Sequence, residues 1–154
     1  MTGQNLCIYN GTSREVLNKG VFNLVNLNCH DFQKAMSSFL LRHQSILDIM
    51  SKYQESCART NRAVAKSVTS CGCLEISAKK QTLPPDAHIE DLESLFSKHL
   101  EGELCDNCRD IIIAELGTNL FYLTALCNTL DINLQGVMEK EYSKVVTLGK
   151  FNMT

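Results

Sequence analysis

Two short cysteine motifs constrain the fold of this chain more than any other feature of its sequence. Cys71-Gly72-Cys73 and Cys105-Asp106-Asn107-Cys108 each hold two thiols close together, and 31 residues separate them. Such motifs can supply two sulfur ligands each to a single metal ion. If they do, the motifs meet in space, and the elements beside them become neighbours.

The four sulfurs allow three interpretations. Thiolates are soft ligands, so Cys71, Cys73, Cys105 and Cys108 predict a metal site, with zinc as the leading metal and an iron–sulfur cluster as the alternative. Free or redox-active thiols are the third interpretation. His99 is an alternative fourth ligand. Four thiolates around Zn²⁺ leave no open position for substrate or water, so the pattern favours a structural role.

The first half of the chain has a helical pattern. No Gly or Pro occurs from Val21 to Cys71, and Asn28 or Asp31 is suited to cap a helix start. The pattern predicts one long helix, or two helices that break near Lys52–Ser56. The predicted apolar face has helical spacing and consists of Phe32, Met36, Phe39, Leu40, His43, Leu47, Met50 and Tyr53.

The second half predicts shorter elements around the cysteine motifs. Leu74 to Ala78 alternate as in a very short strand, and a loop follows through Pro84-Pro85. We expect a short helix from about Asp86 that Gly102 terminates. A strong helix over 107–129 then carries Ile112, Leu116, Leu120, Leu123 and Leu126/Cys127 on its apolar face, and Asn133 caps a last helix bearing Leu134, Val137, Met138, Tyr142 and Val145.

These elements predict an all-α fold, a helical bundle with a small cysteine-rich metal-binding insertion. Residues 1–28 form a poorly defined arm, residues 29–150 a single domain with the metal clip at 71–108, and residues 151–154 a tail. A length of 154 residues with 44% hydrophobic and 21% charged residues is ordinary for one such domain.

Charge and targeting signals exclude several functional classes. The net charge of −2 offers no electrostatic attraction for DNA, RNA or anionic lipid, so nucleic-acid binding is not expected. The first residues lack the basic start and apolar run of a secretory signal, and no run of roughly 20 apolar residues suggests a membrane span. The sequence therefore predicts a cytoplasmic protein with no membrane partner, in which clustered cysteines bind metal or act in redox chemistry.

Residues 115–123 (ELGTNLFYL) and 125–134 (ALCNTLDINL), with a last helix around Glu139–Lys144, resemble the C-terminal helices of MazG-like all-α nucleotide pyrophosphohydrolases. The whole chain also looks like a small bacterial subfamily that carries both cysteine motifs. The resemblance covers about the last 40 residues well. It implies a MazG-like fold, a homo-oligomer (dimer or tetramer) and a nucleotide as a possible ligand.

The resemblance also implies which carboxylates catalysis would require. The family's chemistry uses two sets of carboxylates on two helices to hold Mg²⁺ against nucleotide phosphates. Here Glu115 matches the first acid of one set, but Thr118 stands where the second should be. Gln54-Glu55-Ser56-Cys57-Ala58 retains only Glu55 of the other set. Glu55 and Glu115 are thus the catalytic candidates, and Mg²⁺ is expected only if the protein is a hydrolase.

The depleted carboxylates predict a binding or regulatory role without hydrolysis, for a nucleotide or another protein, and whether the chain is an enzyme stays open. One alternative is a working Mg²⁺-dependent pyrophosphohydrolase with an altered metal shell that adds Glu75 or Asp131. The other is an iron–sulfur or thiol redox protein built on the same four cysteines.

Overall fold

The computed structural model describes residues 28–40, 44–82, 84–85 and 95–149. The predicted arm before Asn28, the tail 151–154 and most of the helix predicted from Asp86 lie outside these residues. The described elements are helices α1 (Cys29–Phe39), α2 (Ile46–Lys66), α3 (Asp106–Thr129) and α4 (Leu134–Leu148), a π-helical turn (Ser67–Cys71), and strands β1 (Leu74–Ile76) and β2 (Leu100–Gly102). The described chain is thus mostly helical, as predicted.

The break in the first helical region lies earlier than predicted. The sequence predicted one long helix or a break near Lys52–Ser56, but α2 is continuous there, and two helices are present because α1 ends at Phe39 and α2 begins at Ile46. A single helix from Cys29 to Lys66 would be roughly 57 Å long, whereas α3 spans about 36 Å. The earlier break lets both α1 and α2 pack against α3.

The main packing surface joins α2 to α3 and consists largely of small residues. Ile49, Ser56 and Ala63 recur every seven residues along α2 and are buried, as are Ser67 in the π-helical turn and Thr124 and Ala125 on α3. The buried hydroxyls donate to carbonyls of their own helices, Ser56 Oγ to Tyr53 O at 2.7 Å and Thr124 Oγ1 to Leu120 O at 2.7 Å. Their burial therefore leaves no hydrogen-bonding group unpaired.

The apolar faces predicted for α2 and α3 are confirmed only in part. Leu47 is 72% exposed, and Met50, Leu116 and Leu120 are also exposed. Small side chains let two helices approach closely, so the contacting faces are the ones with Ser, Ala and Thr rather than those richest in Leu and Met. Other members of the predicted faces are covered: Tyr53, Ile112, Leu123 and Leu126 are partly buried, and Cys127 is buried.

A network of amides attaches α1 to the turn between α3 and α4. The Gln33 side chain donates to Asn128 Oδ1 at 2.9 Å and to Ile132 O at 2.8 Å, and it accepts from Leu134 N at 2.9 Å. Asn28 caps α1 and Asn133 caps α4 through their side chains, as the sequence predicted. These local signals set the helix starts correctly.

The cysteine motifs adjoin a two-stranded antiparallel sheet. Leu74 pairs with Gly102 and Ile76 with Leu100. The short strand predicted at Leu74 is confirmed, whereas the helix predicted to end at Gly102 is wrong at that end. Gly102 lies in β2 with φ of +83°, and its Cα lies so close to Cys73 that an added Cβ would sit 2.6 Å from the Cys73 carbonyl oxygen. Pairing with β1 needs this close approach.

Candidate metal centre

The fold brings the four cysteines of the two motifs together. Cys71 ends the π-helical turn, Cys73 precedes β1, Cys105 is the N-cap of α3, and Cys108 lies in the first turn of that helix. The four Sγ atoms all lie within 4.8 Å of one another. A cluster this tight could hold one metal ion.

The backbone around the first motif explains how its two sulfurs point the same way. Gly72 follows the π-helical turn with φ of +73°, in the left-handed region that ends many helices. The chain reverses at this residue, so that Cys73 lies beside Cys71. Pairing of β1 with β2 then returns the chain to the same place, and Cys105 follows three residues after Gly102.

The four thiols differ in exposure. Cys71 is exposed, Cys73 and Cys105 are partly buried, and Cys108 is 8% exposed. The Cys73 thiol donates to Ser67 O at 3.6 Å, while Cys71 and Cys105 have their sulfurs 3.7 Å apart, too far for a disulfide. The quartet therefore has a solvent-facing edge at Cys71 and an inner edge at Cys108.

Proximity splits the acidities of these thiols. The backbone N–H of Cys108, followed by the Cys108 and Cys71 thiols, stabilises the thiolate of Cys105 and lowers its pKa to about 7. Burial, together with the neighbouring Cys105, raises the pKa of Cys108 well above its usual value. Cys105 is thus a more acidic thiol than Cys108.

His99, the alternative ligand, lies outside the sulfur cluster. Its Nδ1 accepts from the backbone N–H of Lys79 at 3.0 Å, and its Nε2 contacts the side-chain amide of Gln81. The ring therefore links the segment that follows β1 to the segment that precedes β2. Lys80 and Arg109, which could offset the charge of a thiolate site, are exposed.

The structure does not assemble the candidate catalytic carboxylates. Glu55 is exposed and pairs with Lys52 on its own helix at 2.7 Å. Glu115 is 8% exposed and accepts two hydrogen bonds from Arg59 of α2, at 2.9 and 2.8 Å. Within the described residues, the cysteine quartet is the group of three or more Cys, His, Asp and Glu side chains that meets the distances for one ion.

Arg59 is the residue that sequence reasoning missed. Its guanidinium donates hydrogen bonds to both carboxylate oxygens of Glu115. Beside this ion pair, the Asn119 side chain donates to Ser56 Oγ at 3.2 Å and to Cys57 Sγ at 3.0 Å. The antiparallel register of α2 on α3 creates these contacts. The available signal in the sequence was that a basic residue lies four positions after Glu55, but this spacing does not show that Arg59 pairs with Glu115 on another helix.

No protein-family model, curated protein or solved structure matches the chain. Membership of the MazG-like proteins therefore stays a prediction. Among the described residues, α3 is long and apolar enough to cross a membrane by length and composition, with a mean hydropathy of 1.3 over its most apolar window. This helix was not predicted from the sequence to be a candidate span. Its buried Glu115 pairs with α2, which ties it to the other helices.

Proposed function

We propose that this is a cytoplasmic MazG-like helical protein whose long helices are joined by a Cys₄ zinc site, and whose role is binding or regulation rather than hydrolysis. The observation that carries the proposal is the meeting of four sulfurs from two distant motifs within 4.8 Å. Reduced thiols, as this site needs, are the normal state in the cytosol.

The spacing of the sulfurs supports a single ion. Zn–S bonds of about 2.3 Å in a tetrahedral shell put neighbouring sulfurs roughly 3.8 Å apart. Cys71 and Cys105 have their sulfurs 3.7 Å apart. In an iron–sulfur cluster the four cysteines bind more than one iron, so sulfurs on different irons lie farther apart than around one ion, whereas all four sulfurs here lie within 4.8 Å of one another. Zinc is therefore the better fit.

The position of the site supports a structural role. Cys71 lies where the α2 region ends, and Cys105 and Cys108 lie where α3 begins. An ion held there fixes the two helix ends to each other and closes the segment between them. Four thiolates complete a tetrahedral shell, so the ion has no position left to activate water.

The contacts of Glu115 argue against Mg²⁺-dependent hydrolysis. A metal-binding carboxylate needs its oxygens available to the ion. Both oxygens of Glu115 accept hydrogen bonds from Arg59, which supplies a positive charge where the family would bind Mg²⁺. The guanidinium thus takes the place of the metal and stabilises the helix pair.

Metal analysis tests the proposal. Protein purified without added metal should be colourless and contain about one zinc per chain. Cys105→Ser should lose the zinc and unfold at a lower temperature, because a link that closes a loop of this length stabilises a chain by roughly 3–4 kcal/mol. Cys57→Ser, outside the quartet, is the matched control and should keep the zinc. A brown protein with iron would support a cluster instead, and a metal-free protein would leave only free thiols.

A nucleotide panel tests the hydrolytic alternative. With Mg²⁺ present, we expect no release of pyrophosphate from any nucleoside triphosphate. Turnover that disappears in Glu115→Gln would overturn the non-hydrolytic assignment. Turnover that persists in this variant would point to a contaminating enzyme.

We also propose that the protein associates with itself through exposed apolar faces of α3 and α4. Ile113, Leu116 and Leu120 recur at helical spacing on α3 and are 59%, 51% and 43% exposed. On α4, Met138, Tyr142 and Val145 are likewise exposed. Stripes of this kind mark contact surfaces more often than free surfaces.

A further inference from the structure

We propose that the cysteine quartet is an oxidation-sensitive metal centre, in which a peroxide joins Cys71 to Cys105 in a disulfide and thereby releases the metal. This inference rests on the proposed zinc site. It adds a regulated change between a metal-bound reduced form and a metal-free oxidised form, in addition to the structural role.

The first argument is the exposure of the sulfurs. Cys71 is the exposed member of the quartet, whereas Cys108 is buried in the first turn of α3. An oxidant that approaches from solvent therefore reaches Cys71 first. A zinc-bound sulfur is still a thiolate and keeps its nucleophilic character.

The second argument is the position of the partner thiol. Cys105 Sγ lies 3.7 Å from Cys71 Sγ. A disulfide has a sulfur–sulfur length of about 2.05 Å, so the two sulfurs must approach by less than 2 Å. Cys71 is followed by Gly72 and Cys105 precedes the first turn of α3, so neither side chain belongs to a regular α-helix that would have to unwind.

The chemistry balances with one peroxide. The Cys71 thiolate attacks hydrogen peroxide, a sulfur–oxygen bond forms, the oxygen–oxygen bond breaks, and hydroxide leaves to become water. The Cys105 thiolate then attacks the Cys71 sulfur, so that a disulfide forms and a second hydroxide leaves and is protonated. Two thiolates lose two electrons in all, and peroxide takes up those electrons and two protons to give two waters.

Loss of two thiolates removes half of the metal shell. Only Cys73 and Cys108 remain, too few for a four-coordinate site, so the ion leaves and these two sulfurs take up two protons. The new disulfide still joins the π-helical turn to α3. Oxidation therefore frees Cys73, Cys108 and the β1–β2 strands from the metal, while the disulfide keeps the end of the α2 region joined to α3.

Peptide mapping distinguishes this disulfide from the alternatives. Trypsin yields residues 67–79, with both sulfurs of the first motif, and residues 99–109, with both sulfurs of the second. A disulfide between Cys71 and Cys105 links the two peptides, whereas one within a motif leaves them separate. Fragmentation of the linked peptides should assign the bond to Cys71 and Cys105.

The experiment treats the zinc-loaded full chain with one equivalent of hydrogen peroxide without air and follows zinc with a chromogenic chelator. We expect one zinc released per linked peptide pair, and recovery of the zinc-bound form after a phosphine reductant and fresh zinc. Cys108→Ser and Cys73→Ser lack a zinc ligand and should form the link without any zinc release, Cys71→Ser should not form it, and Cys57→Ser should behave as the unchanged chain.

The outcomes separate the two proposals. Zinc retained after peroxide, or released with disulfides confined to single motifs, overturns the oxidation-sensitive centre and leaves the structural zinc site standing. A chain without zinc before peroxide is added overturns the proposed zinc site, and the inference that rests on it fails for that reason.

Discussion

At the level of single residues, Cys105 is distinguished from its neighbours by its acidity. Its pKa of about 7, against an ordinary value of 9.0, reflects stabilisation of its thiolate by the backbone N–H of Cys108 and by the neighbouring thiols. Cys108, three residues later, has its pKa raised by burial. Because the thiolate is the reactive form, the two thiols should differ in reactivity.

We predict that iodoacetamide modifies Cys105 of the metal-free protein before Cys108, with a rate that rises with pH to half its maximum near pH 7. In urea, where the fold is lost, the half-maximum for both should move toward pH 9. Both residues lie on the tryptic peptide 99–109, so tandem mass spectrometry separates them. Equal rates for the two thiols in the folded protein would contradict the lower pKa of Cys105.

The second prediction at this scale concerns Arg59 and Glu115. The carboxylate is mostly buried, with its side chain 11% exposed, and its two charge-assisted hydrogen bonds come from Arg59, which is 45% exposed. Arg59→Met should destabilise the protein by about 1–3 kcal/mol, because it leaves a buried carboxylate without these partners. Urea unfolding of each variant measures this.

A double-mutant cycle isolates the pair. The double variant, with Arg59→Met and Glu115→Gln, should lose less free energy of unfolding than the sum of the losses in the two single variants. The reason is that the double variant has no unpaired charge at this position. Lys52→Met is the control, because its partner Glu55 is an exposed residue of the same helix and such pairs contribute about 0.3–0.5 kcal/mol. Additive costs for Arg59 and Glu115 would show that the pair is not coupled.

At the level of elements, β2 depends on Gly102, where any side chain would be strained. Gly102 has φ of +83°, and a Cβ there would lie 2.6 Å from the Cys73 carbonyl oxygen. Gly102→Ala must therefore push the β1–β2 pair apart beside a cysteine of the quartet. We expect a loss of about 2 kcal/mol or more in the free energy of unfolding, and weaker zinc retention against a chelator.

Gly117→Ala is the matched control. Gly117 lies within α3, and a Cβ there meets no atom within 4 Å. The same substitution should raise stability by roughly 0.5–1 kcal/mol, because alanine favours the helix and glycine does not. If both variants had the same stability, the close approach of β2 to Cys73 would not matter to the fold.

The elements also show which structure is readable from sequence. Asn28 and Asn133 mark helix starts, because a cap acts within one turn and its signal is local. The predicted start of α3 differs by one residue from the observed start at Asp106. The assembly of the cysteine motifs was predictable too, because two closely spaced pairs need only one chain reversal to meet.

The remaining features depend on contacts between distant residues. Leu100-Glu101-Gly102 forms a strand because β1 is beside it, and three residues carry no pattern of their own. The packing face of α2 follows Ile49, Ser56 and Ala63, because close helix contact selects small residues over the larger apolar stripe. The Arg59–Glu115 pair depends on helix register, which neither helix alone determines.

At the level of the whole molecule, the described helices leave much apolar surface uncovered. Among the residues that the structure describes, the large apolar side chains that are buried are Ile49, Leu74 and Leu134, whereas Ile113, Leu116 and many others are exposed. A two-helix layer with an apolar outer face can cover that face by packing against a second copy of itself. The interface is then the same patch on both subunits.

We therefore predict that the protein sediments as a dimer or larger assembly at micromolar concentration, and that Leu116→Glu with Leu120→Glu converts it to a monomer. Burying each leucine stabilises the assembly by roughly 1.5–3 kcal/mol at most, whereas each glutamate would bring a charge into the contact. Sedimentation velocity measures the change, and metal content measured on the same samples should stay at the unchanged value.

Ser38→Glu with Asn61→Glu adds the same charge at exposed polar positions of α1 and α2 and is the matched control. This variant should assemble as the unchanged chain does. A monomeric unchanged chain, or equal weakening by both double variants, would contradict an interface at Leu116 and Leu120. Loss of assembly with full retention of zinc would show that the metal centre fixes the fold within each chain, while the outer face of α3 joins one chain to another.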